Sequence, residues 1–184
     1  MPSSHKAAIP SPWAEFLREL DALLTTEVKV HCIGGFVISL HYGLPRPTGD
    51  VDYYSVFPAH CARDLQTLAG ADSPLAEKYK LRFQQVTVTD LPENYEDRLG
   101  EMFPGYFKRL LLYAPDPYDL ILSKIGRNSP KDRDDVEYLA KTLSLDPVLL
   151  RERYQKELRP NLSNEARHDL TLNLWIHSCF PQPR

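Results

Sequence analysis

The sequence predicts an α+β fold: a mixed β-sheet flanked by helices, followed by a C-terminal helical half. Three observations predict it. Short apolar runs bounded by Gly, Pro and Asp alternate with amphipathic segments as far as Tyr113. Beyond Ala114-Pro115 the character changes, and helix-start pairs recur at Asp116-Pro117, Ser129-Pro130 and Asp146-Pro147. No internal repeat or low-complexity segment interrupts either half. The chain of 184 residues therefore divides into an α/β core over 1–115 and a helical region packed on it over 116–184. Strand pairing is not readable from the sequence.

The bulk properties are those of a globular protein, with 42% hydrophobic and 26% charged residues. The formal charge of -3 gives no electrostatic footprint for non-specific nucleic-acid binding. The 16 prolines mostly punctuate apolar segments. The 3 cysteines, Cys32, Cys61 and Cys179, have no metal-ligand spacing and fit a reducing cytoplasm. Cys32 reads as a small core residue. Without an apolar leader or a long apolar run, the expected setting is cytoplasmic, with no membrane partner.

In order along the chain, residues 1–10 read as a loose arm. Ser11-Pro12 reads as an N-cap followed by proline at the first helical position. Trp13, Phe16, Leu17, Leu20, Leu23 and Leu24 then recur at helical spacing, giving a helix over 12–25. Val28–Ile33 is the first strand. Gly34-Gly35 ends it and opens a short helix over 36–42. After a loop over 43–49 comes a second strand, Val51–Val56. Helices over 58–68 and 74–79 precede a third strand over 81–89, whose apolar phase shifts between Phe83 and Val86. One helical turn within 90–99 and a fourth strand over 106–113 complete this half. Helices then start at Asp116-Pro117, run over 131–143, run from Asp146-Pro147 to about 158, and start after a Ser163 cap.

The chemistry concentrates between Val30 and Val56. Asp50 and Asp52 stand two apart in a strand and so share a face. Like charges placed side by side are unfavourable without a cation. Magnesium takes one or two carboxylates and completes its shell with phosphate and water. Gly34-Gly35 between strand and helix lets a backbone approach a polyanion closely. Arg46 supplies a phosphate partner and Thr48 a hydroxyl donor. These parts suit nucleotidyl transfer, whose triphosphate brings about four negative charges. D-x-D alone says little; its conjunction with the glycine pair and the Arg-x-Thr arm carries the reading.

The pattern G-G-x(10)-R-x-T-x-D-x-D from Gly34 to Asp52 resembles nucleotidyltransferases of the DNA polymerase β superfamily, nearest the AbiEii-like and MNT-like branch. The resemblance implies a nucleotidyltransferase-like mixed sheet and a Mg²⁺ cofactor held by Asp50 and Asp52. It also implies a nucleoside triphosphate substrate and an acceptor on RNA or protein. Many members of that branch are toxins of toxin–antitoxin or abortive-infection systems, which implies a cognate antitoxin as partner. Downstream, Lys124-x-x-Arg127-x(3)-Lys131-Asp132-x-x-Asp135 resembles the branch's K-x-x-R…K/R-D-x-x-D element. By that resemblance Lys124 and Arg127 assist nucleotide binding, and Asp132, with Asp135, helps orient the site. Read from spacing alone, Asp132 and Asp135 are neighbours in the first turn of a helix, where acids also suit the dipole.

One departure stands out. The superfamily usually adds a third carboxylate from a neighbouring strand. Here the expected strand reads V-T-V-T-D, with Thr87 or Thr89 at that place and Asp90 as the substitute at the strand end. Glu93, Glu96 and Asp97 read as a solvated turn. Two rivals follow: a catalytically impaired binding protein on the same fold, and a metal-dependent nuclease using the same acids. The glycine pair and Arg-x-Thr arm fit a triphosphate better than a bare phosphodiester. Arg151, Arg153, Lys156 and Arg159, interleaved with Glu152 and Glu157, read as a solvated helix face.

Overall fold

The sheet is built on Val28–Ile33 (β1), which is buried along its length except at Lys29. A strand with almost no solvated residue belongs in the middle of a sheet. The computed structural model, which describes residues 9–180, puts it there. The other strands are Asp50–Phe57 (β2), Arg82–Gln85 (β3), Gly100–Met102 (β4) and Leu110–Ala114 (β5). Their order is β3-β2-β1-β5-β4. β1 runs antiparallel to β2 and parallel to β5, β2 parallel to β3, and β4 antiparallel to β5. The sheet is mixed, as expected, but has five strands where four were legible.

The chain forms two compact units. The first runs to Val86 and resumes over Gly100–Ala114, so it holds the whole sheet. The second joins Thr87–Leu99 to the chain from Pro115 onward.

In the first unit, Trp13–Leu23 (α1) buries Trp13, Phe16, Leu17 and Leu20. Phe16 meets Phe83 of β3 and Tyr79 at ring separations of 6.0 and 5.9 Å, so aromatic packing fixes the helix on its neighbours. Asp21 ties it to β5 by accepting from the backbone N–H groups of Lys108, Arg109 and Leu110. Of the two leucines expected at the end of the apolar face, Leu24 is buried and Leu23 is exposed. The N-cap is Pro12, with no side-chain cap from Ser11. The arm expected over 1–10 lies, for residues 1–8, outside the described residues; Ile9 is packed rather than loose. Gly34–Leu40 (α2) leaves β1 directly, beginning two residues earlier than expected. Cys61–Ala69 (α3) and Pro74–Tyr79 (α4) connect β2 to its parallel neighbour β3. Ser73 caps α4, accepting from the Ala76 N–H at 3.0 Å.

The third strand is shorter than its sequence suggests. It ends at Gln85, with a last bond from the Val86 N–H to the Tyr53 carbonyl at 2.8 Å, and Thr87–Asp90 carries no strand pairing. The phase shift after Phe83 marks that end rather than a bulge. The bulge lies in β2 instead: His31 pairs with Ser55 and Cys32 with Tyr53, leaving Tyr54 as the extra residue. The fourth strand of the sequence reading, 106–113, is present only from Leu110. The three-residue β4 is held by pairing with it, and no local pattern marks it.

The second unit holds Pro117–Leu122 (α5), Pro130–Thr142 (α6), Pro147–Arg153 (α7) and Glu165–Cys179 (α8). Asp116, Ser129 and Asp146 cap the first three as expected. A π-helical turn, Tyr154–Leu158, continues α7 to the expected end. The cap of α8 is Asn164, accepting from the Arg167 N–H, and not Ser163. Arg153 leaves the expected solvated face and turns inward to Asp116 and Asp119, at 2.6 and 3.0 Å. Among the described residues no helix is long and apolar enough to cross a membrane.

Candidate active site

Val51 and Tyr53 of β2 are fully buried, while Asp50 and Asp52 between them are half-buried. The two acids therefore share the face opposite the core, as strand alternation requires. Asp52 pairs in register with Ile33, the last residue of β1. The next residue, Gly34, has φ +73, a conformation that side chains rarely adopt. A Cβ built on it would lie 2.6 Å from Asp52 Oδ2, closer than such atoms approach. The left-handed turn out of β1 thus sets bare backbone against a carboxylate, which requires glycine twice over.

The Arg-x-Thr arm closes on the second glycine. A Cβ on Gly35 would lie 3.6 Å from Thr48 Oγ1 and 3.8 Å from Arg46 Nη2. The arm is held from α2, where the Ser39 hydroxyl donates to the Arg46 carbonyl at 2.9 Å. Thr48 Oγ1 donates to the Asp50 carbonyl at 3.3 Å, fixing the entry to β2. Gly34, Gly35, Arg46, Thr48 and Asp52 thus converge, and Asp50 shares Asp52's strand face. Two same-face carboxylates beside a backbone cradle fit a magnesium ion whose remaining ligands come from phosphate and water. Among the described residues no group of three or more His, Cys, Asp or Glu is placed to hold a metal.

Sequence reasoning missed Arg82 and Ser39. In the parallel pairing of β2 with β3, Arg82 stands beside Asp50 and Gln84 beside Asp52. Arg82 Nε lies 2.8 Å from Asp50 Oδ1. Thr87 and Thr89, expected next to the acids, lie past the end of β3. A groove of about 680 Å³ opens beside this pair, lined by Gly49, Asp50, Ser73, Ala76, Lys80 and Arg82. The one signal for Arg82 was its alternation with Phe83, which means little until the register is known.

The remaining expected residues lie in the second unit. Asp90 is not at a strand end. Its Oδ2 lies 3.5 Å from His168 Nε2 and 2.4 Å from where a Cβ on Gly126 would stand. Lys124 is buried and pairs with Asp135 at 2.9 Å and Asp132 at 3.4 Å. Arg127 adds a two-pronged contact to Asp132, at 2.8 and 2.6 Å. Asp132 also closes a capping box with Ser129 at the start of α6. Burial would raise the Asp132 carboxyl. Arg127, the Ser129 hydroxyl and N–H, and the Lys124 ammonium outweigh it and hold the group well below the usual carboxylate range.

A family model described as "Nucleotidyltransferase of unknown function (DUF6036)" matches residues 14–178. Searches of curated proteins and of solved structures returned no match.

Proposed function

The chain belongs to this nucleotidyltransferase family, and on that premise we propose that it transfers a nucleoside monophosphate from a triphosphate to an RNA end or a protein hydroxyl, with Mg²⁺. The observation that carries the reading is the contact of Gly34 with Asp52, because it sets a polyanion cradle against a carboxylate that shares its strand face with a second. Asp50 and Asp52 would hold the metal. Magnesium there would neutralise triphosphate charge and polarise the phosphoryl group. Gly34 and Gly35 leave their backbone open to phosphate oxygens. Arg46 pairs with a phosphate oxygen, and Thr48 orders the arm that carries it. Lys124 pairs with Asp132 and Asp135, Arg127 pairs with Asp132, and Asp90 lies beside His168; by the resemblance Lys124 and Arg127 would assist nucleotide binding, and Asp132 and Asp90 would help orient the reaction. We place the reaction in the cytoplasm, as the toxin of a toxin–antitoxin or abortive-infection pair.

The test is incubation with each labelled nucleoside triphosphate, Mg²⁺ and either total RNA or cell protein, beside the Asp50→Ala variant. Label should reach one acceptor class with wild type and not with the variant. RNA that shortens instead of gaining label points to a nuclease. Failure to bind any triphosphate at high Mg²⁺ rejects the reading. For the toxin role, induced wild-type protein should arrest growth of a bacterial host and Asp50→Ala should not. The second reading, a binding protein with impaired catalysis, is favoured by Arg82 and Gln84, which occupy the strand positions beside the acids. Triphosphate binding without label transfer is its signature.

A further inference from the structure

We infer that Arg82 is a resident counter-ion for Asp50 that makes metal binding depend on the triphosphate. This rests on the nucleotidyltransferase reading and adds to it how the site is loaded. The sheet register is the first support. β3 sets Arg82 beside Asp50 and the uncharged Gln84 beside Asp52, so the neighbouring strand offers the acid pair a cation and an amide. Geometry is the second. The guanidinium already sits 2.8 Å from the carboxylate that a metal would use. Environment is the third. The two side chains are 46% and 39% exposed, and such a pair is weak enough to exchange. Arg82 and Asp50 also line the groove of about 680 Å³, which gives the guanidinium open space to leave Asp50.

A divalent cation and a guanidinium cannot share Asp50 without repulsion. Bare metal must therefore displace Arg82 and leave it without an anion. A triphosphate changes this, because its oxygens accept from a guanidinium with two parallel bonds. Metal and triphosphate together release Asp50 and give Arg82 a new partner. Arg82 is thus a positioning residue whose effect is a coupling between two ligands, reciprocal by linkage.

The experiment titrates Mn²⁺ into the full chain by electron paramagnetic resonance, with and without a non-hydrolysable triphosphate analogue. Wild type, Arg82→Gln, Arg82→Lys and Asp50→Asn are compared, with melting temperatures as the folding check. Wild type should bind Mn²⁺ weakly alone and much more tightly with the analogue. Arg82→Gln should bind Mn²⁺ alone on the order of tenfold more tightly, with the coupling reduced by the same factor. Arg82→Lys should keep the weak binding of Mn²⁺ alone but show a smaller coupling, because an ammonium cannot make the two parallel bonds, and Asp50→Asn should bind least. Equal or weaker Mn²⁺ binding by nucleotide-free Arg82→Gln, with the analogue still bound by wild type, overturns the inference alone. No analogue binding by wild type overturns the nucleotidyltransferase reading beneath it.

Discussion

The acids of β2 and the acids of α6 carry similar sequence signals and lead opposite lives. Asp50 and Asp52 follow an arginine and a threonine; Asp132 and Asp135 follow a lysine and an arginine. In the first unit the acids stay half-exposed on a strand face beside bare glycine backbone. In the second they are buried, and Lys124 and Arg127 bring charge close to balance within one network. The difference is one of burial: a buried carboxylate must stay paired, whereas a half-exposed one can exchange its partner cation for another.

The comparison breaks first at Lys124. Lys124→Met leaves two buried carboxylates short of a cation and should destabilise by about 3–5 kcal/mol. For a chain of this size that is a fall in melting temperature of roughly 6–20 °C. A small fall would mean that water reaches Asp132 and Asp135, and that the network resembles the β2 site after all.

The same network sets a pH dependence. Asp132 titrates below its unfolded value, so its contribution is fully present above the ordinary carboxylate pKa of about 3.9 and is lost as pH falls through the folded value. Urea midpoints of wild type and Asp132→Asn should differ most above about pH 4–5 and converge in stronger acid. A gap that widens on acidification would reverse the sign and reject the pairing.

Asp50→Ala should do the converse. Its melting temperature should stay within about 2 °C of wild type, as for other exposed positions. Label transfer should fall on the order of a hundred- to a thousandfold, the loss expected when several kcal/mol of charge stabilisation go. An Asp50→Ala protein that melts far below wild type would group this acid with the buried acids of α6.

How much of this the sequence shows depends on the range of the contact. Ser73, Asp116, Ser129 and Asp146 cap helices within three residues of themselves, so each was legible. The glycine pair, the Arg-x-Thr arm and the acids lie within a single stretch joining two adjacent strands, and they converge as expected. β4 was not legible, because three residues become a strand only through pairing with β5. Arg82 was not legible as a partner of Asp50, because the pairing depends on the register of strands joined by two helices. Assigning Asp90 to a strand end failed for the same reason: T-V-T-D has strand-like residues but no strand beside it to pair with.

The last pair of substitutions is the most discriminating, because it separates two adjacent glycines. Gly34 has positive φ and no room for a Cβ; Gly35 is helical, and a Cβ there meets only ordinary contacts. Gly34→Ala should therefore cost about 1–2 kcal/mol for the left-handed conformation, with a further penalty from Asp52. Gly35→Ala should keep or slightly raise the melting temperature, since alanine is favoured over glycine within a helix by about 0.5–1 kcal/mol. Both should weaken triphosphate binding in equilibrium dialysis. In Gly34→Ala the carboxylate is pushed aside, and in Gly35→Ala a methyl group stands in the cradle facing Thr48 and Arg46. Undiminished triphosphate binding by a stable Gly35→Ala would mean that the phosphates do not lie against this turn, and the Gly34–Asp52 contact would then be explained by chain packing alone.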